Sequence, residues 1–417
     1  MKVSLEFGGI AGRVLIPPSK SMSQRICAAA LLHNGQTIIS NYGKSDDEIA
    51  SLNISQNLGA SITFSEEKLI IKSDGLVHSS GTINCGESGL SARLFTPVAG
   101  LSEAVNTIEG SGSLRKRPMT FFKNVLEELN VKLPDFNGHI PFTIQGPLQP
   151  KNITVDGSLS SQFISGILLA FANSTKHTVQ ICVQNLVSKP YIDMTLEILE
   201  EFGCKIDCDD YKIFTVEPKP FSEKRAIEIT VESDWSSAAF WIAAATISGS
   251  VTLSGLNEKS KQADKALLEI IKETGAVVRW ENGDLIIQSA QLNALDADLT
   301  DAPDLFPVLA VLAASCKGKS KLKGLHRLVH KESNRGESIA GLLSQLEVVF
   351  EIVDDEIVIT GRKKFPPIIY KCPNDHRMAM AAALAVMNSK GAIEIENAEC
   401  VNKSYPDFWK DLEAFTQ

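Results

Sequence analysis

The sequence is poor in several features that would point to particular classes of protein. Aromatic residues make up 6% of the chain and the formal net charge is −9 at pH 7, so we expect no general nucleic-acid-binding surface. The longest apolar runs, around 238–247 and 305–314, are too short to span a bilayer. Residues 1–15 lack the charged start and apolar stretch of a secretory signal. These absences predict a cytoplasmic protein with neither nucleic-acid nor membrane partners.

Clustered cysteines are absent as well. The eight cysteines are scattered, and although Cys204 and Cys208 are close in sequence, no second pair of ligands accompanies them. We therefore expect no zinc or other metal site. Reduced and mostly buried thiols in a reducing compartment are the simpler interpretation.

What the chain does have is an internal repeat. With 417 residues, 44% of them hydrophobic, it is long enough for two or more domains with large cores. A strand-like run, a loop bearing Ser or Asp, and an Ala/Leu-rich helix recur at intervals of 69 to 78 residues, which indicates a repeated architecture. The six loops lie near Pro18, Glu87, Asp156, Asp234, Pro303 and Asn374. Three such units in each of two domains would account for the chain.

The domain boundaries follow from the position of the first loop. The strand-like stretch 2–14 precedes it. We therefore predict a discontinuous first domain formed by residues 1–15 and 229–417, and an inserted second domain formed by residues 16–228. The chain would cross between them near Leu15 and near Ile229, and two such crossings form a hinge of the kind that closes over ligands.

The repeated loops carry cations where helix capping does not call for them. A helix N-terminus attracts anions because its first N–H groups are unpaired and its dipole end is positive. Ordinary caps would explain the Ser and Asp residues, but a cation near the cap opposes the dipole. The cations in or just after the caps are Lys20, Arg25, Arg93 and Arg377. We predict that the loops converge on one anion-binding cleft.

Four more cations accompany the loops or matching turns: Arg117, Lys331, Arg335 and Lys403. Eight converging cations would repel one another strongly unless anionic ligands joined them. One phosphorylated small molecule hardly needs so many, whereas two anionic substrates bound together would.

Two carboxylates are candidates for proton transfer. Asp304 is flanked by apolar residues, so we expect it to be partly buried and to need a partner or a task. Glu332 lies in a run with Lys331 and Arg335 that opens a helix.

Nine motifs together resemble the 5-enolpyruvylshikimate-3-phosphate synthase family, and they occur in the order seen there. In this sequence they read PPSKSMSQR, GESGLSAR, RKRP, DGSLSSQF, SKPY, APDLFPVLA, KESNR, NDHRMAM and KSYPDF. Any one would be weak, but their joint occurrence over nearly the whole chain is highly specific. The resemblance implies an α/β (α+β) fold of two domains, each of three βαβαββ units around an inverse pseudo-threefold axis, with the helices around it and the sheets outside.

The resemblance also implies an activity and a set of site residues. The enolpyruvyl group of phosphoenolpyruvate would pass to the 5-hydroxyl of shikimate 3-phosphate, releasing phosphate through a tetrahedral intermediate, in a monomer without metal or organic cofactor. The implied catalytic residues are Asp304 as base for the hydroxyl and Glu332 as proton donor and acceptor at the methylene carbon, with Lys20 and His376 nearby. The implied shikimate 3-phosphate contacts, mainly in the second domain, are Ser21, Arg25, Ser160, Ser161, Gln162, Ser188 and Lys331. The implied phosphoenolpyruvate contacts are Gly89, Arg93, Arg117, Arg335, Arg377 and Lys403, with Gln162 shared between the substrates. The resemblance also implies that the first domain is the phosphoenolpyruvate side and holds the acid–base residues.

Two departures and two rival interpretations accompany the resemblance. Glu87 stands where the family usually carries Asn, which leaves the phosphoenolpyruvate contact and the sensitivity to glyphosate-like inhibitors open. Asn334 stands where Asp is common.

One rival is the UDP-N-acetylglucosamine enolpyruvyl transferase, which usually carries a loop cysteine where the basic turn around Arg117 stands here. The other is a catalytically silent anion-binding module of the same fold, against which the pair Asp304 and Glu332 argues.

Overall fold

The structure is a computed structural model, and it describes residues 1–6, 8–65, 68–76, 80–219 and 226–415. The chain folds into two compact units. Unit 1 consists of Met1–Pro17 and Glu232–Gln417, and unit 2 consists of Pro18–Val231. Unit 2 is thus one continuous segment inserted into unit 1.

Helices and strands alternate along the described residues. The α-helices are α1 (Lys20–Leu32), α2 (Asp46–Asn57), α3 (Gly89–Ala99), α4 (Phe122–Glu128), α5 (Ser161–Ser174), α6 (Lys189–Glu201), α7 (Trp235–Ile247), α8 (Leu267–Thr274), α9 (Phe306–Ser315), α10 (Arg335–Gln345), α11 (His376–Leu384) and α12 (Phe408–Phe415). Short 3-10 helices lie at Gly112–Lys116, Ala263–Ala266, Pro303–Leu305, Leu325–Leu328, Ala385–Asn388 and Ala398–Lys403. The strands are β1 (Lys2–Leu5), β2 (Ile10–Leu15), β3 (Gly35–Ser40), β4 (Ser61–Ser65), β5 (Lys68–Ser73), β6 (Gly81–Asn84), β7 (Val105–Glu109), β8 (Phe142–Gln145), β9 (Ile153–Asp156), β10 (Val179–Gln184), β11 (Ile206–Asp209), β12 (Ile213–Val216), β13 (Ala226–Thr230), β14 (Gly249–Ser254), β15 (Val277–Glu281), β16 (Asp284–Gln288), β17 (Asp296–Asp298), β18 (Lys319–Lys323), β19 (Phe350–Val353), β20 (Glu356–Thr360), β21 (Ile368–Lys371) and β22 (Ile393–Glu396).

The strands of the described chain form three sheets in each unit. The strand orders in unit 1 are β1-β22-β21, β15-β16-β14-β2 and β17-β18-β20-β19, and those in unit 2 are β13-β3-β5-β4, β6-β7-β8 and β11-β12-β10-β9. Every sheet joins one parallel pair of strands to one or two antiparallel strands. This common design, three times in each unit, confirms the predicted repeat and fold class.

At each point where the chain passes between units, the last strand before the crossing pairs within the unit that the chain is leaving. Strand β2 pairs in parallel with β14 in unit 1, and β13 pairs in parallel with β3 in unit 2. The chain enters unit 2 after Pro17 and leaves it after Val231. The stretch 2–14, read from the sequence as one strand-like segment, forms two strands, β1 and β2, in different sheets.

Three mostly buried helices form the centre of each unit. Helices α1, α3 and α5 pack against one another in unit 2, as do α7, α9 and α11 in unit 1. A helix that is apolar on most faces is stable only when it is surrounded, and every residue of α3 is buried. Gly166 of α5 allows the close packing on α3, because a Cβ there would lie 2.7 Å from the carbonyl oxygen of Leu94. The six repeated loops lead into these six central helices.

The sequence predicts helices that begin at Met119 and at Ile192, and both starts differ from the structure by three residues. Helix α4 begins at Phe122, and the Met119 N–H donates to the carbonyl of Gly138 at 2.8 Å. Helix α6, expected from Ile192, begins at Lys189, since Pro190 is well suited to the first turn of a helix. Among the helices that the described residues form, none has the length and apolar character needed to cross a membrane.

Candidate active site

In unit 2, hydrogen bonds join the N-terminal ends of the three central helices. The amide oxygen of Gln24 in α1 accepts hydrogen bonds from Ser88 and Ser91 at the start of α3, both at 2.8 Å. Arg93 of α3 donates through NH1 to the amide oxygen of Gln162 in the first turn of α5 at 2.8 Å. Three positive dipole ends therefore meet in one region of this unit. We call Lys20, Arg25, Arg93, Arg117 and Gln162 the unit 2 cluster.

Arg25 is a buried cation whose hydrogen-bond acceptors are neutral oxygens. Its side chain is fully buried; Nε donates to the hydroxyl of Thr195 at 2.9 Å, NH1 to the carbonyl of Ser21 at 2.8 Å and NH2 to the carbonyl of Tyr191 at 3.3 Å. Burial lowers the pKa of Arg25 to about 10, because removing a cation from water disfavours its charged form. An anion brought to this position would offset that cost.

Arg93 and Arg117 are also buried, with exposures of 4% and 7%. The Arg93 guanidinium lies 5.7 Å from the centre of the Phe121 ring, a cation–π geometry. The Arg117 guanidinium rests against the backbone of Gly89, because a Cβ at Gly89 would lie 2.2 Å from NH1. Glycine at position 89 therefore sets where Arg117 lies.

The other unit 2 candidates occupy helix starts. Lys20, the first residue of α1, makes an ion pair of 2.9 Å with Asp47 in the first turn of α2, and both side chains are largely buried. Ser160 caps α5 by accepting from the N–H of Gln162 at 3.2 Å. Ser161 is the first residue of α5, Ser21 is the second residue of α1, and Ser188 precedes α6 in a left-handed conformation with φ of 58°.

In unit 1, one guanidinium binds three carboxylates. Arg335, whose side chain is 1% exposed, donates through NH1 to Asp304 at 2.7 Å, through NH2 to Glu332 at 2.6 Å and through Nε to Asp375 at 2.8 Å. These carboxylates raise the pKa of Arg335 well above its usual range despite burial. The two acid–base candidates are thus held to the same cation. We call Asp304, Lys331, Glu332, Arg335, Asp375 and Arg377 the unit 1 cluster.

Asp304 is surrounded by cations. Besides Arg335, it receives Lys331 Nζ at 3.1 Å on Oδ1 and Arg377 NH2 at 3.0 Å on Oδ2. Burial by itself would raise the pKa of Asp304, but Arg377, Lys331 and Arg335 outweigh it and hold that pKa well below its usual range. Burial also lowers the pKa of Lys331, although Asp304 opposes the change. In this state Asp304 is a fully ionised but weak base.

The start of α11 contributes the remaining unit 1 candidates. Asp375 caps the helix by accepting from the Arg377 N–H at 3.1 Å, and the buried His376 is its first residue. Lys403, 6% exposed, donates to the carbonyl of Asn374 at 2.8 Å. The predicted residues of this half of the chain therefore gather around the N-termini of α9, α10 and α11.

The structure also contains carboxylates that the sequence interpretation did not use. Eight cations suggested a large unbalanced positive charge, yet Lys20, Lys331, Arg335 and Arg377 all make ion pairs with carboxylates. The number of anionic ligands cannot be counted from the cations for this reason. Asp375 was visible as a cap next to Arg377, but Asp47 carries no signal that separates it from an ordinary acidic first turn.

The described residues offer little for a metal ion. Within the ranges given above, no group of three or more His, Cys, Asp or Glu side chains is placed to hold one. Their carboxylates instead contact lysine and arginine.

Comparison with solved structures identifies the fold. The solved EPSP synthase from Acinetobacter baumannii is similar with a TM-score of 0.82 at 25% identity, covering 100% of this chain and 98% of that one. The enolpyruvyl transferase NikO from Streptomyces tendae, at 16% identity, shares the fold with a TM-score of 0.79 over 99% of this chain and 97% of its own. The architecture is that of the enolpyruvyl transferases.

The sequence comparisons are more specific. The family model for EPSP synthase (3-phosphoshikimate 1-carboxyvinyltransferase) matches residues 7–412. The 3-phosphoshikimate 1-carboxyvinyltransferase of Clostridium perfringens is 33% identical over 416 residues, which cover 99% of this chain and 98% of the relative. The chain belongs to the EPSP synthase family, a family of transferases.

Proposed function

We propose that this protein transfers the enolpyruvyl group of phosphoenolpyruvate to the 5-hydroxyl of shikimate 3-phosphate and releases phosphate. Family membership over residues 7–412 supports the reaction. The observation that carries the chemistry is the pair Asp304 and Glu332, bound to one buried guanidinium at 2.7 and 2.6 Å. Two carboxyl groups held this way supply the base and, when Glu332 carries a proton, the acid that the reaction needs.

The reaction forms one C–O bond and later breaks another. A proton is added to the methylene carbon of phosphoenolpyruvate, the neighbouring carbon becomes electrophilic, and the 5-hydroxyl oxygen attacks it while losing its proton. The tetrahedral intermediate then loses phosphate from that carbon and a proton from the new methyl group. We assign the hydroxyl proton to Asp304 and the carbon-bound proton to Glu332, with Lys20 and His376 assisting.

Asp304 needs to become a better base when the substrates bind. Its pKa is held low by Arg377, Lys331 and Arg335. A carboxylate and a phosphate from the substrates would share the charge of these cations, so their field at Asp304 would weaken and its pKa would rise. Substrate binding would thus switch on the base only when there is a hydroxyl to deprotonate.

The anion contacts follow the two clusters. The buried Arg25, whose acceptors are neutral, is suited to the shikimate phosphate. The other proposed shikimate 3-phosphate contacts are Ser21, Ser160, Ser161, Ser188, Lys331 and, shared between substrates, Gln162. The proposed phosphoenolpyruvate contacts are Gly89, Arg93, Arg117, Arg335, Arg377 and Lys403, in which the arginine forks match a carboxylate and a phosphate.

Closure of the expected hinge on binding both ligands would reduce the radius of gyration measured by small-angle scattering. We expect a monomer in the cytoplasm, which sedimentation and cell fractionation would test.

The decisive experiment measures phosphate release from phosphoenolpyruvate with each acceptor supplied separately. We expect release with shikimate 3-phosphate and none with UDP-N-acetylglucosamine. The reverse result would identify the other enolpyruvyl transferase, and release with neither would identify a silent anion-binding module. Omitting the acceptor controls for simple hydrolysis.

A further inference from the structure

An acidic residue next to the unit 1 cluster has no role in the proposed reaction. Asp264 lies in the short helix Ala263–Ala266 and is 4% exposed. Ser236, at the start of α7, donates to Oδ2 of Asp264 and accepts from NH1 of Arg377. The same Oδ2 lies 3.8 Å from NH1 of Arg377. Asp264, Ser236 and Arg377 therefore form a continuous chain of polar contacts that ends at Asp304.

The surroundings of Asp264 make its ionisation depend on Arg377. Its Oδ1 is buried and, within the described part of the chain, has no hydrogen-bond partner. Burial raises the pKa of Asp264 to about 6, with Arg377 opposing the rise and Asp304 and Asp234 adding to it. Arg377 is the cation that faces Asp264, whereas Asp304 and Asp234 are like charges on neighbouring elements.

We propose that Asp264 is a positioning residue for Arg377, and that Asp264 takes up a proton when Arg377 binds phosphoenolpyruvate. The inference rests on the proposed role of Arg377 as a phosphoenolpyruvate contact. An incoming anion competes with Asp264 and Asp304 for the guanidinium. A buried carboxylate that loses its cation is neutralised rather than left charged. The proton comes from solvent and goes to Oδ1, and no other bond is made or broken.

This coupling fixes the direction of a pH effect. If binding raises the pKa of Asp264, then phosphoenolpyruvate binds more tightly as pH falls toward about 6, and the gain levels off below that. Above about pH 6, the KM for phosphoenolpyruvate rises with pH because deprotonated Asp264 competes with the substrate for Arg377. The substrate phosphate titrates near pH 6 as well, so only a comparison between variants isolates the contribution of Asp264.

The test compares Asp264→Asn with the wild type and with Asp284→Asn. Asn keeps an oxygen for Ser236 but cannot take up the proton. Asp284 is a suitable control because it also lies in unit 1 and contacts an arginine, Arg13, which in turn donates to Ser254. Between pH 6 and 8 we expect the KM for phosphoenolpyruvate to rise roughly 10-fold more in the wild type and in Asp284→Asn than in Asp264→Asn. The KM for shikimate 3-phosphate and kcat should keep the same pH dependence in all three.

A second variant tests the positioning itself. Asp264→Ala removes the acceptor of Ser236, so Arg377 loses its orientation. At pH 6, where a protonated Asp264 no longer competes for Arg377 in the wild type, the KM for phosphoenolpyruvate should be about 10-fold higher in Asp264→Ala, while that for shikimate 3-phosphate stays within about twofold. Calorimetry in two buffers of different ionisation enthalpy counts the protons taken up when phosphoenolpyruvate alone is added at pH 7.5, and the difference between the wild type and Asp264→Asn is the contribution of Asp264.

Identical pH slopes in Asp264→Asn and the wild type would overturn the proposal, as would parallel losses in kcat and both KM values in Asp264→Ala, or equal proton uptake by Asp264→Asn and the wild type in calorimetry. These results leave phosphate release by the wild type intact. Absence of release by the wild type with shikimate 3-phosphate would instead overturn the proposed function, so the two failures are distinguishable.

Discussion

Each of the two clusters contains a fully buried arginine, and the two arginines are held in opposite ways. In the unit 1 cluster, Arg335 is neutralised by Asp304, Glu332 and Asp375. In the unit 2 cluster, the equally buried Arg25 donates instead to uncharged oxygens of Thr195, Ser21 and Tyr191. The first arrangement is charge-balanced and suits proton transfer, whereas the second has positive charge left over and suits anion binding. The same residue type thus performs two tasks, and the acceptors around it decide which.

The largest expected effect comes from removing the balanced cation. Arg335→Met leaves the fully buried Asp375 without its guanidinium, and breaking a buried ion pair in this way costs about 3–5 kcal/mol of unfolding free energy. Denaturant unfolding measures the loss. Arg362→Met is the control, because its ion pair with Glu347 is exposed and should contribute about 1 kcal/mol or less. Equal losses in both variants would show that Arg335 is not the centre of a buried network.

The next largest effect is expected on kcat, from the loss of proton transfer. Asp304→Asn and Glu332→Gln should each lower kcat by roughly 10²-fold or more, since positioned acids and bases contribute at least that much. Rates of phosphate release and the far-UV spectrum of each variant would be measured together. Glu337→Gln, an exposed change on α10, should leave kcat unaltered. Wild-type turnover in either test variant would remove that carboxylate from the chemistry.

The unbalanced cation should affect binding but not stability. Arg25→Met is expected to raise the KM for shikimate 3-phosphate about 10- to 100-fold, because hydrogen bonds to a charged group contribute about 1.5–3 kcal/mol. Unfolding free energy should not fall, since a buried charge with neutral partners is removed. Steady-state kinetics and denaturation test both, with Lys205→Met, an exposed pair with Glu217, as control. A stability loss without a change in KM would make Arg25 a structural residue.

The smallest expected effect is a displacement within the unit 2 cluster. In Gly89→Ala the new methyl group would lie 2.2 Å from NH1 of Arg117, so the flexible guanidinium has to move. We expect the KM for phosphoenolpyruvate to rise roughly threefold to 10-fold at little cost in stability. Gly341→Ala on α10, where a Cβ meets nothing within 4 Å, is the matched control. An unchanged KM would mean that Arg117 does not contact this substrate.

Much of the fold could be predicted because its signals are local. Ser19, Ser88, Ser160, Asp234 and Asp375 cap central helices, and each side chain accepts from a backbone N–H in the first turn. Caps of this kind, followed by Ala/Leu-rich runs at a fixed interval, are visible in the sequence itself. The helix starts, and with them the neighbourhood of most candidate residues, could be located without coordinates.

The charge pairing could not be predicted in the same way. Arg335 meets Asp375 and Asp304 across 40 and 31 residues of sequence, and Arg377 meets Ser236 across 141. Each contact depends on how three central helices pack, and no local pattern encodes which carboxylate reaches which guanidinium. A motif can therefore nominate a cation for a site while leaving open whether that cation is free for a ligand.

The point at which unit 2 is inserted has a practical consequence for protein engineering. The N–H of Asp234 donates to the carbonyl of Pro17 at 2.8 Å, and the Ser233 hydroxyl donates to the carbonyl of Ile16 at 3.0 Å. The two ends of the insertion are therefore already adjacent in unit 1. Joining Pro17 to Glu232 through a short linker would remove unit 2 from the chain and keep the β2–β14 pairing. Each cluster could then be prepared as a separate protein and titrated with one substrate at a time.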